Sequence, residues 1–416
     1  MDCNNFYVSC ERVFQPNLNK KPVVVLSNND GCVISRSQEA KDLGIQMGTP
    51  YFKCKEGFKI HGVKAFSSNY TLYADISKRV METLSGFSSH IEVYSIDEAF
   101  LSFDGMCIDL TEYGAKIKKT VYQWTGMPVS VGIAKTKVLA KIANHIAKKQ
   151  RQCNGVFDLS SLSEDQIDNM LNVFPVEDIW GVGRRYAMML RQQGIKTALS
   201  LKQKDIKWVR KKMTVAGERI VRELRGTKCI EIDTMIKNKK EITCSRSFGK
   251  KVSTIKEIKE AVSEYVTRAS EKLRHQESVC TGVYVYIATA LFSEDRYFKG
   301  DLQKLVMPTA NTSTIISNAH NIIDNIYVEG KKYAKAGVVL TGIINKTNIH
   351  SDLFEVSYQT GSQEKLMSVI DGLNNKMGKG AVSFACNGID KQWKMSQKLL
   401  SNEYTTIWDQ LAIVKA

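Results

Sequence analysis

Ile91-Glu92-Val93-Tyr94-Ser95-Ile96-Asp97-Glu98-Ala99-Phe100-Leu101-Ser102-Phe103 sets two runs rich in β-branched and aromatic residues on either side of an acidic pair. That composition predicts two strands with Asp97 and Glu98 where they join. Upstream, Leu72, Ile76, Val80 and Leu84 recur every four positions with Lys78, Arg79 and Glu82 between them, which predicts an amphipathic helix. Downstream, a helix from about Glu112 to Trp124, a strand from Pro128 to Ile133 and a helix from Lys137 to Lys149 complete an alternating α/β unit. Nearer the start, the apolar run Val23-Val24-Val25-Leu26, the polar turn Ser27–Gly31 and the short run Cys32-Val33-Ile34 read as a strand, a loop and a second strand.

The 416 residues exceed what one hydrophobic core organises, so several domains are expected. After Asp158 the pattern turns helical, and between Arg184 and Lys228 fourteen Lys or Arg residues face only Asp205, Glu218 and Glu223, which marks a small basic domain. A basic tether, Met235–Lys240, leads to strand signals at Glu241–Phe248 and Thr281–Ala288 that alternate with helical ones at Ile255–Arg274 and Ser313–Tyr327. This third α/β domain is expected to end near Ile344, followed by a mixed polar region with one more helical stretch.

Lys and Arg total 59 against 43 Asp and Glu, a formal charge of +16 that favours polyanionic partners and excludes acidic disordered classes. The longest apolar runs are strand-sized, far short of the ~20 residues a membrane helix needs, so no membrane span is expected. The opening residues lack the basic and apolar regions of a secretory signal, and the ten cysteines form no CxxC pair, so a cytosolic chain with reduced thiols is expected. The six histidines form no HExxH or HxxxH pair, which leaves carboxylates as metal ligands and narrows the chemistry to hard cations.

Taken alone, Asp97-Glu98 reads as a solvated tight turn. A third carboxylate, Asp2, just before the aromatic pair Phe6-Tyr7, opens another reading. Three carboxylates at adjacent strand ends suit two Mg²⁺ ions ~4 Å apart, shared with substrate phosphates. The Lys137–Lys149 helix carries Lys137, Lys141, His145 and Lys148 on one face; this is a solvated basic face or one that presents Lys148 to a phosphate. Ser35 to Lys41 reads as a capped helix start whose Arg36 or Lys41 could meet phosphates. Trp180-Gly181-Val182-Gly183-Arg184-Arg185, followed by Gln193-Gly194-Ile195, predicts two short helices joined by a glycine hairpin whose backbone N–H groups would hold a DNA phosphate without reading sequence.

Asp2-Cys3-Asn4-Asn5-Phe6-Tyr7, Ser95–Phe100, Val131–Lys137 and Gly181-Val182-Gly183 together resemble, in order and spacing, the Y-family translesion DNA polymerases. Leu26–Ile34, Phe66–Asp75 and Cys244–Gly249 are similar to the UmuC branch of that family. The resemblance implies an α/β and α+β multidomain right hand: palm at 1–10 and 71–160, small fingers at 11–70, helix-hairpin-helix thumb at 161–232, little finger at 241–344 and a carboxy-terminal region at 345–416. It implies error-prone, template-directed nucleotidyl transfer past damaged bases in the SOS response to DNA damage, by a two-metal mechanism with two Mg²⁺ ions. Asp2, Asp97 and Glu98 would be the catalytic carboxylates and metal ligands, joined by the Cys3 carbonyl. Tyr7 would be the steric gate against a 2′-hydroxyl. Phe6, Ser35, Lys41 and Lys148 would bind the nucleotide, although Gln38 stands where many relatives have tyrosine. Val33 and Ile34 would roof the nascent base pair, and Gly181, Gly183, Arg184, Arg185 and Arg246 would touch DNA. Expected partners are primer-template DNA, deoxynucleoside triphosphates, a UmuD′-like dimer, RecA and, through Leu353-Phe354, a sliding clamp, in a nucleoid-associated cytoplasmic setting. No proofreading constellation is visible. Relatives carry an apolar strand before the first aspartate where this sequence has only Met1, so the alternative is a catalytically silent, DNA-binding relative.

Overall fold

The computed structural model describes residues 1–234, 237–348, 360–378 and 380–411, and the described chain divides into two compact units. The first unit holds residues 1–26, 32–236 and the carboxy-terminal segment from Leu399; the second holds 27–31 and 237–398.

Along the chain the first unit's opening part runs β1 (Asp2–Cys3), α1 (Phe6–Phe14), β2 (Val23–Leu26), β3 (Val33–Arg36), α2 (Gln38–Asp42), α3 (Tyr51–Ile60), β4 (Lys64–Ser67), α4 (Tyr70–Ser85), β5 (Ile91–Val93) and β6 (Ala99–Leu101). It continues through α5 (Leu110–Thr125), β7 (Val129–Ile133), α6 (Lys137–Lys149), β8 (Val156–Asp158), α7 (Glu164–Val173), α8 (Arg184–Gln192), α9 (Ala198–Lys202) and α10 (Ile206–Leu224). β1 pairs antiparallel with β7, which pairs parallel with β8, while an isolated bridge from Asp2 to Glu98 ties β1 to the β5–β6 hairpin. The helix read from Leu72, Ile76, Val80 and Leu84 is α4, and it buries those four side chains against this sheet. β2 lies between antiparallel β3 and parallel β4 in a separate sheet over its own apolar cluster of Val24, Leu26, Val33, Ala40, Phe58 and Val63.

Gly132 sets the seat of α6. A Cβ built there would lie 2.1 Å from the Asn144 nitrogen and 2.5 Å from the Ala140 oxygen, so only glycine allows α6 to lie this close to β7. Buried Glu223 accepts hydrogen bonds from Val138 N (3.0 Å), Cys229 N (3.0 Å) and Ile230 N (2.8 Å), fixing the first turn of α6 to the chain that follows α10. In the basic region two short helices, α8 and α9, flank Gly194, and the segment before Gly181 is a turn. Val176–Asp178 is a single 3₁₀ turn, Gly181 takes φ +91°, and α8 beyond Gly183 is followed across Gln193-Gly194-Ile195 by the short helix α9. Ile179 and Val182 are buried and anchor the turn, which leaves Gly181, Gly183, Arg184 and Arg185 exposed.

The second unit continues with β9 (Ile242–Val252), α11 (Ile255–His275), β10 (Ser278–Thr289), β11 (Phe298–Thr309), α12 (Thr312–Ile326), β12 (Tyr333–Thr341), β13 (Ile344–Asn345) and α13 (Thr360–Met377). Its antiparallel strands run in the order β11-β10-β12-β9, with β13 on β10, and α11 and α12 cover the sheet. The region after 345 is built into both units. α13 pairs Asp371 with Arg274 at 2.6 Å and Trp393 is buried in the second unit's core, whereas Leu399 onward belongs to the first. Among the described residues no helix is long and apolar enough to cross a membrane.

Candidate active site

Two-residue β1 is held on both sides. Asp2 stands opposite Ser130 of β7 and opposite Glu98, Cys3 N donates to Asp97 O at 2.8 Å, and Ala99 N donates to Met1 O at 3.1 Å. Asp2 therefore has a paired backbone without a longer strand before it. Asn5 then takes a left-handed conformation (φ 49°, ψ 46°), which asparagine tolerates, and turns the chain directly into α1.

Bridge partners in a sheet place their side chains on one face, and neighbours alternate. Asp2 and Glu98 accordingly meet and share a hydrogen bond. Burial, then the hydrogen bond with Glu98, raises the Asp2 carboxyl to about 6. At Glu98 burial works in the same direction, but hydrogen bonds from Asp2 and Lys141 outweigh it and its pKa is lowered. Lys141 reaches Glu98 at 2.5 Å and Lys148 pairs with Asp2; the two lysines are seven residues apart on α6, two helical turns on one face. Asp97 does not join this pair. Its carboxylate accepts from Ser95 Oγ at 2.7 Å and lies on the side of Cys3 and Tyr7, whose acidic groups its charge helps to raise. Among the described residues no three Asp, Glu, His or Cys side chains converge closely enough to hold a metal ion as they stand, so the expected three-carboxylate cluster is a pair plus a neighbour. The donor chemistry nevertheless fits a hard cation: two carboxyls are held together in a partly desolvated place, where a divalent ion would offset their mutual repulsion. The Cys3 thiol is buried, which leaves only its backbone to contribute. Asp2, Glu98, Lys137 and Lys141 line a cleft of about 270 Å³.

Beside this pair lies a group of cations. Lys41 donates to Asn5 Oδ1 at 2.7 Å, and its pKa is lowered by burial and by the nearby charges of Arg36 and Lys148. Half-buried Tyr7 stacks on Tyr73 at 4.7 Å and 19° and meets the edge of Tyr70 at 6.0 Å. Three expectations change with burial. Phe6 is 4% exposed and belongs to the core beneath β1, so it has no surface for a nucleotide. Ser35 and Val33 point to the inner face of β3, at 6% and 0% exposure, while Ile34 and Arg36 on its other face are half-buried. Lys148, expected at a phosphate, is paired with Asp2 here. Sequence reading placed Lys141 on the basic face of α6 but gave it no role, although its seven-residue spacing from Lys148 was the available signal, and it missed the Tyr70 and Tyr73 rings that hold Tyr7. Arg246 lies exposed on β9 in the second unit. Leu353 and Phe354 fall outside the described residues.

The site is thus a carboxylate pair flanked by cations and an aromatic wall, on an α/β domain followed by a basic glycine-turn region. Residues 1–145 match the impB/mucB/samB family, residues 239–353 the impB/mucB/samB family C-terminal domain, and residues 364–414 a domain of unknown function, DUF4113. Protein UmuC of Salmonella typhimurium strain LT2 is 47% identical over 100% of this chain and 99% of its own length, and Protein SamB of Salmonella typhimurium is 42% identical over 100% and 98%. Among solved structures, the Y-family DNA polymerase chimera Dbh-Dpo4(243-245)-Dbh superposes with a TM-score of 0.67 at 23% identity, covering 83% of this chain and 98% of that one. The chain belongs to the impB/mucB/samB family and is a UmuC-type member of the Y-family polymerases. The catalytically silent reading is not favoured.

Proposed function

We propose that this chain is an error-prone translesion DNA polymerase that joins a deoxynucleotide to a primer 3′-hydroxyl opposite a damaged template base. The 3′-oxygen bonds to the α-phosphorus, the bond to the bridging oxygen breaks, and pyrophosphate leaves with the proton lost to solvent. The observation that carries the reading is the Asp2–Glu98 pair bracketed by Lys148 and Lys141, beside the Lys41 and Arg36 cations and the Tyr7 ring. Asp2, Glu98 and Asp97 would hold two Mg²⁺ ions, which lower the pKa of the primer hydroxyl and neutralise charge on the leaving group. Lys41 and Arg36 face the triphosphate and fix it by charge, and Lys148 is free to do the same once a cation takes Asp2. Tyr7 closes the space beneath the sugar where a 2′-hydroxyl would sit. Exposed Gly181, Gly183, Arg184, Arg185 and Arg246 hold the DNA backbone irrespective of sequence.

The family membership supports a role in the SOS response, in the cytoplasm at the nucleoid, with a UmuD′-like dimer, RecA and a sliding clamp as partners. Primer extension across an abasic site, run with those partners and Mg²⁺, tests the reading. Extension is expected from the natural chain and lost in Asp97→Ala with Glu98→Ala. Primer-template binding without extension by the natural chain would overturn it.

A further inference from the structure

The carboxy-terminal segment that returns to the first unit does not merely lie on it. Leu399 exchanges hydrogen bonds with Ser67 at the end of β4, donating to its Oγ at 3.0 Å and accepting from its N–H at 2.9 Å. The Asn69 side chain caps α4 by accepting from Leu72 N at 3.2 Å, while its amide donates to Ser401 O, Ser401 Oγ and Asn402 O at 3.1 to 3.2 Å. Ser401 Oγ donates to Glu11 Oε1 at 3.0 Å, and Tyr404 stacks on Phe14 at 4.8 Å and 9°. The segment thus grips α1 at Glu11 and Phe14 and α4 at its cap.

These are the two helices whose rings meet at Tyr7. Glu11 Oε1 also accepts from the Tyr73 hydroxyl at 2.7 Å, and the Tyr73 ring is the one stacked on Tyr7. Glu11 is fully buried and its Oε2 has no hydrogen-bond partner among the described residues. A half-satisfied buried carboxyl is poor glue, since an apolar side chain of that size would stabilise the packing better. Its geometry serves direction: one oxygen receives two hydroxyls, one from the segment and one from the ring that backs Tyr7.

We propose that Leu399–Tyr404 is a positioning strap for sugar discrimination, acting through Ser401, Glu11 and Tyr73 on the plane of the Tyr7 ring. This gives part of the domain of unknown function at 364–414 a task inside the polymerase core. It rests on the reading of Tyr7 as the gate. The strap touches no nucleotide, and its residues are positioning residues. Without Ser401 the Glu11 carboxyl loses one of two donors, Tyr73 is held less well, and the Tyr7 ring yields more readily to a 2′-hydroxyl.

The test is single-nucleotide insertion by the full chain with its partners, measuring kcat/KM for a deoxynucleotide and for the matching ribonucleotide. Because the readout is a ratio within one preparation, a general loss of folded or active protein cancels. Ser401→Ala, Glu11→Gln and Tyr73→Phe are each expected to lower the ratio by about threefold to tenfold, the worth of one neutral hydrogen bond. Ser401→Thr, which keeps the hydroxyl, is expected to restore it. Tyr7→Ala serves as the reference and should lower the ratio most. If Tyr7→Ala leaves the ratio unchanged, the gate reading falls and the strap's role falls with it. If Tyr7→Ala lowers the ratio while the three other variants slow both substrates equally, the gate stands and the strap is structural only, which overturns the proposal.

Discussion

Asp2 and Glu98 face each other across an isolated antiparallel bridge and share a hydrogen bond, with Lys148 on the first and Lys141 on the second. The two carboxyls lie ninety-six positions apart in the chain, and each is held by a cation from a different turn of α6. The pair is the point at which strand pairing, helix seating and charge converge.

Glu98→Gln removes one of the two like charges and also the partner of Lys141. These effects oppose each other, so the melting temperature without metal is expected to stay within about 2 °C of the natural chain. Millimolar Mg²⁺ should raise the melting temperature of the natural chain by mass action and leave the variant's unmoved. Primer extension should fall by at least about a hundredfold, because several kcal/mol of charge stabilisation is lost. Extension within about tenfold of the natural chain would deny the pair its role.

Gly132→Ala places a methyl group against the Asn144 and Ala140 backbone of α6, at 2.1 and 2.5 Å from N and O. Backbone does not yield as a side chain does, so α6 must move away from β7. A loss of about 3 kcal/mol in chemical denaturation is expected. Activity should fall more than stability in the fraction that folds, because Lys141 and Lys148 move with the helix.

Glu11 makes stability depend on pH. Burial raises its carboxyl from 4.5 to about 7, against the lowering effect of the Tyr73 and Ser401 hydroxyls. The charged or titratable groups facing it are the Tyr73 phenol, the Cys10 thiol and, further off, the Tyr404 phenol, all neutral near pH 7. Between pH 4.5 and 7 the folded chain holds this proton while the unfolded chain has released it. The group's contribution therefore declines as pH rises through that window, to a cost of about 3 kcal/mol above it. Denaturation of the natural chain and Glu11→Gln at pH 5 and pH 8 checks the sign: the variant should gain on the natural chain at the higher pH.

Arg184→Ala with Arg185→Ala removes two exposed cations beside the Gly181–Gly183 turn. If both meet phosphates, the slope of log affinity for primer-template against log salt should become shallower by about 2, with no change in sequence preference. An unchanged slope places the DNA elsewhere.

The sequence by itself determined the order of elements, because the periods of helix and strand are local. The four-residue recurrence from Leu72 to Leu84 and the apolar run at Val23–Leu26 each needed nothing beyond themselves, and α4 and β2 are where they were read. It also displayed the acidic pair and the dense positive stretch, which are matters of residue type. Tertiary structure decided which groups meet. Strand alternation parts Asp97 from Glu98 and turns Val33 and Ser35 inward, a choice of face that no single strand reveals. Helix seating on Gly132 brings Lys148 to Asp2, and chain return brings Ser401 to Glu11 from 390 positions away. Such contacts depend on how separate elements pack, and packing is a property of the whole core that a local pattern does not contain.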